Sequence, residues 1–378
     1  MRILLDCRPL QSAGPEAEKS RLVFSAAAAL SGEDIEWLLV ADRRYRPGLF
    51  PVLPGRVVIC RAWPGRVGWR FWYDRQIRRL SRLGVDMLWL TGGISAMGIG
   101  VPVCLWMPER ADPAEGVGFW GYVSLYRRRL KVSLERAAAV ICYSDRDRAW
   151  LAGCRPEVQE RIYVLPGIPD EKIRPLSAEE KEIIKAERTG GKEYFLADLS
   201  GCDEGAVVDL LKAFSLFKKR QRSQMRLVLA GLIGSPEGIK ERLKTYKYRA
   251  DVDWPAGSPD GGRPAGSPDG GMVALAGAAY AVLLPVEGNS LGTTLLNTWK
   301  AGVPVIAADG GLFAEMAQGA VLGMAPGDPA SLAGQLMRIY KEEDLRKELT
   351  RKGFERLKVH SRENFLRVLR VITEIAAC

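Results

Sequence analysis

The chain has 378 residues, long enough for two α/β domains of ordinary size. Hydrophobic residues make up 47% and charged residues 26%, a globular balance that excludes a disordered chain, and no apolar run approaches the roughly 20 residues that cross a bilayer. A formal charge of +10, carried mostly by arginine in the first half, suits anionic partners in general and singles out none.

Met1–Asp6 reads as a β-strand and not as a secretory leader, because it lacks an apolar core and a small-residue cleavage site. Strands are then expected at Arg2–Cys7, Glu36–Ala41, Val57–Cys60, Met87–Leu90, Val101–Trp106, Ala139–Tyr143 and Arg161–Leu165. Helices are expected between them at Glu18–Leu30, Gly68–Arg82, Tyr122–Arg136 and Asp145–Ala152. A Pro-Gly-Ile-Pro turn at Pro166–Pro169 and the charged helix Ser177–Glu187 lead to a fresh strand, Tyr194–Asp198. The alternation restarts there with the helix Gly205–Arg220, strand Arg226–Ala230, helix Pro236–Thr245, strand Ala279–Leu284, helix Thr293–Ala301 and strand Val303–Ala307. Helices Pro329–Glu342, Glu343–Val359 and Arg362–Ala376 close the chain. Two Rossmann-like α/β halves with parallel sheets are the natural assembly, with expected domains 1–175 and 176–360 and a terminal helix in 361–378.

Between the helix at 236–245 and the strand at 279–284 lies Trp254-Pro-Ala-Gly-Ser-Pro-Asp-Gly-Gly262, followed by its near copy Arg263–Gly271. Pro, Gly, Ser and Asp at this density predict turns or a loop left by local duplication, not an element. Seven cysteines are scattered without a Cys-x-x-Cys pair, which argues against a disulfide framework or a zinc site and for small buried thiols in a reducing cytoplasm. There is no GxGxxG after Asp6, no phosphate-binding loop at Gly190–Glu193 and no GxSxG elbow.

Five stretches in order carry a resemblance. They are Phe71–Leu80 with Gly84–Leu88, Arg136–Arg148, Arg161–Pro169, Tyr194–Gly231 with its Asp209-Leu-Leu-Lys-Ala-Phe214 helix, and Ala279–Glu315 with Trp299-Lys-Ala-Gly302-Val-Pro304. Together they resemble the retaining GT-B glycosyltransferases of family 4, also called group 1. The resemblance implies two Rossmann-like domains facing a central cleft and a final helix that crosses back to the N-terminal domain. It also implies a nucleotide-diphosphate sugar held mainly by the C-terminal domain, a glycan or lipid-linked acceptor, and no metal or other cofactor.

Carried over residue by residue, the family's site falls on altered side chains. Its glutamate pair aligns with Asn289 and Asn297, within Asn289-Ser290-Leu291-Gly292-Thr293, and Glu287 is the only carboxylate close by. Its Arg/Lys diphosphate clamp aligns with Glu204 and Gly205, its loop histidine with Pro108, and its first glycine-rich turn with Gly14 followed by Glu16 and Glu18. Asparagine retains hydrogen bonding but cannot carry the charge that favours a developing oxocarbenium ion, and an acid at a clamp position repels phosphate. The expected function is therefore that of a glycosyltransferase-family protein of polysaccharide or glycoconjugate assembly with substituted catalytic residues. The alternative is a non-catalytic relative that binds a glycan or scaffolds a partner glycosyltransferase. His360, the only histidine, is expected at the surface or as a helix cap. The interleaved Trp and Arg of Arg61–Arg82 read either as a helix with a buried aromatic face or as a contact with an anionic membrane surface, which would place the protein in the cytoplasm or peripherally on the inner membrane. No module for nucleic acid accompanies the charge.

Overall fold

The computed structural model describes residues 1–6, 35–41, 56–59, 68–82, 84–90, 99–106, 131–231, 236–254, 270–286 and 292–377. The chain divides into two compact units, Met1–Pro166 with Arg362–Cys378, and Gly167–Ser361.

In the first unit β1 (Arg2–Asp6), β2 (Glu36–Ala41), β3 (Arg56–Ile59), β4 (Met87–Leu90), β5 (Val103–Trp106), β6 (Ala139–Cys142) and β7 (Ile162–Val164) form one sheet in the order β3-β2-β1-β4-β5-β6-β7. All its pairings are parallel. Strands buried on both faces need continuous apolar sequence, which Met-Leu-Trp-Leu, Val-Cys-Leu-Trp and Ala-Val-Ile-Cys supply. Trp37, Trp89 and Trp106 are buried in a row across β2, β4 and β5, with ring centroids 5.2 and 5.9 Å apart. Helix α1 (Gly68–Ser81) buries Ile77 and Leu80 and exposes Arg75, Arg78 and Arg79. The aromatic side chains at its start, and residues 61–67, lie outside the described residues. Helix α2 (Asp145–Cys154) is capped by Ser144, whose Oγ accepts from the Asp147 amide at 3.0 Å, and Asp145 and Asp147 stand in its first turn where the helix dipole favours them.

The second unit starts with α3 (Ala178–Thr189), whose Ser177 and Glu180 make a reciprocal capping box. It continues through β8 (Tyr194–Asp198), α4 (Glu204–Gln221), β9 (Arg226–Ala230), α5 (Pro236–Thr245), β10 (Val252–Asp253), α6 (Gly270–Ala278), β11 (Ala281–Leu284), α7 (Thr293–Lys300), β12 (Val305–Ala308), α8 (Gly311–Ala317), β13 (Leu322–Met324), α9 (Pro329–Lys341) and α10 (Glu343–Leu357). The sheet order is β10-β9-β8-β11-β12-β13, again all parallel. Alternation along β8 sends Phe195 and Ala197 to one face, where Phe214 and Phe217 of α4 meet them. Tyr194 and Leu196 go to the other, against Leu295 and Trp299 of α7. After α10 the chain enters α11 (Arg362–Ala377), which buries Phe365, Leu369 and Ile372 and packs on β6 of the first unit.

Several elements depart from expectation. Strands β10 and β13 and helices α6 and α8 were not anticipated. Helix α6 draws its first residues from the Gly270-Gly271 end of the tandem copy, so that part is an element and not a loop; residues 255–269 lie outside the described residues. It is apolar all round, which hides the 3.6-residue period that marks a helix. Segment 167–175, expected with the first domain, belongs to the second unit because Ile173 packs in its core and the Asp170 amide donates to Asn297 Oδ1 at 2.9 Å. His360, in the turn between α10 and α11, is buried and not at the surface. Its Nδ1 is 3.1 Å from the Gly167 carbonyl, and desolvation lowers its pKa. Of the described cysteines Cys104, Cys142 and Cys202 are buried, and burial pushes the Cys142 and Cys202 thiols up to about 12; Cys154 is exposed. No described helix is long and apolar enough to cross a membrane.

Gly353 of α10 sits against the buried Trp299 ring, where an added Cβ would lie 2.6 Å from Cδ1. Helix propensity favours alanine there by about 1 kcal/mol, whereas overpacking costs about 1–3 kcal/mol. Gly353→Ala is therefore expected to lower the urea midpoint, and an unchanged or raised midpoint would show that Trp299 can move aside.

Candidate functional site

In a doubly wound parallel sheet, ligands bind outside the carboxyl ends of the strands, where the winding reverses. In the second unit that point lies between β8 and β11. Three backbone features converge on it. β8 ends at Asp198, β9 is followed by Gly231, and the connection after β11 delivers the N-terminus of α7.

Asp198 joins them. It is 8% exposed; its Oδ1 accepts from the Ser200 amide at 2.9 Å and its Oδ2 from the Thr294 hydroxyl at 3.0 Å, so one carboxylate ties β8 to the first turn of α7. Gly231 has φ +99°, and a Cβ there would lie 2.6 Å from Asp198 Oδ1 and 2.7 Å from Ser200 Oγ; only glycine allows this approach. Gly292, with φ +59°, caps α7 in the left-handed region, and a Cβ would collide with the Met316 sulfur. Burial raises the Asp198 pKa, and the donors at Ser200 and Thr294 offset only part of that rise.

The sequence-derived positions separate into three sets. Gly292, Thr293 and Asn297 lie on or beside α7, but the Asn297 side-chain oxygen Oδ1 accepts from the Asp170 amide, and Lys300 Nζ donates to the Asp170 carbonyl at 2.8 Å. Glu204 and Gly205 open α4, whose N-cap is Asp203, accepting from the Ala206 amide at 2.7 Å. Asn289, Ser290, Leu291, Glu287, Gly14 and Pro108 lie outside the described residues. A pocket of roughly 280 Å³ runs from Asp203, Gly205 and Ala206 to Pro285 and Val286 after β11 and to the Ala325–Pro329 turn before α9. It places Gly205 beside the end of β11, and Glu204 does not line it.

Two residues of this region were not reached from the sequence. Asp198 closes an apolar strand and carries no motif around it; only its place at the reversal of winding marks it. Arg242 of α5 pairs with Glu204, Nε to Oε1 at 2.6 Å, so the acid at the clamp position is matched by a cation that pattern reading could not link to it across 38 residues. Both side chains are about half exposed, so the pair adds little to stability and can exchange partners. Among the described residues no cluster of three or more His, Cys, Asp or Glu side chains could hold a metal ion.

Residues 203–356 match the model of the glycosyl transferases group 1 family. No curated protein matches the chain. Solved structures with the same fold include sucrose-phosphate synthase of Thermosynechococcus elongatus, with TM-score 0.73, 15% identity, and coverage of 99% of this chain and 98% of that one. A glycosyltransferase of Rickettsia africae superposes with TM-score 0.72 at 14% identity over 99% of this chain and 98% of that one. Anabaena HepE, in complex with UDP and glucose, gives 0.70 at 15% identity over 99% and 98%. At these identities the likeness establishes the fold, GT-B with two Rossmann-like units.

Because the folded pKa of Asp198 lies above its unfolded value of about 3.9, its contribution to stability is full below that value and is lost as pH rises through the folded pKa. Asp198→Asn keeps an acceptor for Ser200 and removes the buried charge. It is expected to gain stability relative to wild type at roughly pH 7 compared with roughly pH 3, read by denaturant midpoints. Thr294→Val, which strips Oδ2 of its donor, is expected to cost about 1–3 kcal/mol at neutral pH; an unaltered midpoint would remove Asp198 from its bridging role.

Proposed function

We infer that this chain, whose residues 203–356 form a glycosyl transferases group 1 domain, binds a nucleotide-diphosphate sugar at the carboxyl ends of β8, β9 and β11 and acts in sugar transfer to a glycan or lipid-linked acceptor. The observation that carries this reading is the region at the reversal of winding, where Asp198 holds the first turn of α7 and the start of α4 borders a pocket with the residues that follow β11. Each helix start carries a partial positive charge of about +0.5, which favours an anion. When the bond from the sugar's anomeric carbon to the diphosphate breaks, charge gathers on the leaving oxygens, and these two helix ends lie where it can be met. Arg242 supplies the mobile cation: leaving Glu204 for a diphosphate exchanges one charge-assisted hydrogen bond for another. The wider assignment to polysaccharide or glycoconjugate assembly rests on the family resemblance, and the reading that catalytic residues are substituted rests on the asparagines at 289 and 297 and the acid at 204.

A second reading is favoured by one observation. Asn297, at the position of a ribose-binding carboxylate in the resemblance, already accepts from the Asp170 amide. A group so engaged suits a non-catalytic relative that binds a glycan or a partner transferase.

Thermal stabilisation by a panel of nucleotide-diphosphate sugars separates the two. A donor at a hundred times its Kd is expected to add about 2.7 kcal/mol, with slow donor turnover. Stabilisation without turnover selects the non-catalytic reading, and no stabilisation by any donor overturns both donor binding and transfer. Arg242→Gln is expected to weaken donor binding about tenfold without altering the fold, the size of one charge-assisted contact; unchanged affinity would leave Arg242 as a partner of Glu204 alone.

A further inference from the structure

The same sheet has a second concavity at its other end. A groove of about 730 Å³ lies over the amino ends of the strands, floored by Glu193 before β8, Tyr280 before β11 and Val303 and Pro304 before β12. Two helices wall it. Helix α3 contributes Lys181 and Lys185, four residues apart and thus on one face. Helix α10 contributes Arg346, Lys347, Arg351 and Phe354, and its C-cap residue Lys358 follows them. From Arg346 to Lys358 the row runs about 18 Å at 1.5 Å per residue.

The cations differ in what they already hold. Lys185 is buried between Glu182 at 3.0 Å and Glu193 at 2.5 Å and is structural. Arg346 lies over the Tyr280 ring, 4.6 Å from its centroid, and donates to the Ile339 carbonyl. Lys347 and Arg351 pair with Glu343 and Glu355 of their own helix, in exposed pairs that give way readily. Lys181 and Lys358 are in no ion pair among the described residues. Six cations against four carboxylates leave a modest positive surplus spread along the groove. Phe354, 41% exposed, sets its ring over Gly302 at the groove wall.

We propose that this groove binds a linear anionic glycan, a sugar chain bearing carboxylates at low charge density, at the opposite end of the strands from the nucleotide-sugar crevice. The length of the row exceeds what one phosphate or one sugar needs. The concavity does not suit a flat bilayer, and Phe354 is the single large apolar group exposed in it. The small surplus matches a polymer with widely spaced charges better than a nucleic acid, whose every residue is charged. An exposed aromatic ring offers the apolar face on which a sugar ring can lie. The choice of a glycan over other polyanions rests on the sugar-transfer reading above; the groove itself does not.

Fluorescence anisotropy of the full chain with a labelled uronate oligosaccharide of about ten sugars tests this, beside a neutral oligoglucan and a poly-uridylate of equal length, with anionic vesicles in a sedimentation arm. The uronate oligomer is expected to bind, more weakly as salt rises, and the neutral one not to bind. Lys181→Gln with Lys358→Gln should weaken binding about tenfold, and the corresponding arginine variants should restore it. Nucleotide-sugar stabilisation should be the same in all these proteins, so a failure at the groove is distinct from a failure at the crevice. Equal binding by the double glutamine variant, equal binding of the neutral oligomer, or capture of poly-uridylate or vesicles in place of the uronate overturns the proposal.

Discussion

Parallel strand pairing is the constraint from which the organisation of both units follows. A parallel strand cannot be reached by a tight hairpin, so each must be entered by a crossover, here through a helix wherever the connection is described, and the right-handedness of crossovers places helices on both faces. Both sheets start winding in one direction from their first strand and then return to wind in the other, giving the orders β3-β2-β1-β4 and β10-β9-β8-β11. The connections after neighbouring strands at that reversal leave in opposite directions, and an opening forms between them. In the second unit a single buried carboxylate, Asp198, spans this opening to reach Thr294.

The ends of the second sheet differ in electrostatic character because different helix ends meet them. At the carboxyl ends the starts of α4 and α7 bring partial positive charge, and the acids nearby are largely engaged: Asp203 caps α4, Glu204 pairs with Arg242, and Asp198 accepts from Ser200 and Thr294. At the amino ends the positive charge comes from side chains instead, on α3 and α10. Fixed dipoles suit a small anion held in one geometry, whereas long lysine and arginine stems suit an extended one that is held loosely. The net charge of the chain thus has a local meaning that its total conceals.

Much of the fold was legible in the amino-acid sequence. Strands β2, β4, β8 and β9 fall on the residues that apolar runs bounded by turns predict, and α5 falls on its expected bounds. What was missed shares a cause. β10 and β13 are too short to show alternation, α6 is uniformly apolar, and α8 is seven residues bounded by glycine. Candidate positions were legible where a motif has a fixed distance to a strand, as for Gly292, Thr293 and Asn297 on or beside α7 and Glu204 and Gly205 at the start of α4. Asp198 and Arg242 were not, because the one is marked only by its place in the sheet and the other by a partner on another helix.

The sequence by itself determined that the chain makes two α/β units with parallel sheets and that Asn289, Asn297 and Glu204, the positions singled out by the resemblance, carry amides and an acid. Those are properties of local pattern and side-chain identity. Only the tertiary structure decided which of those groups are already engaged: that Asn297 holds Asp170, that Glu204 is neutralised by Arg242, that Asp198 bridges the reversal of winding, and that His360 is buried against Gly167. Hydrogen bonds and ion pairs depend on distances of about 3 Å between groups far apart in the chain. No spacing in the sequence encodes them until the sheet has set its order.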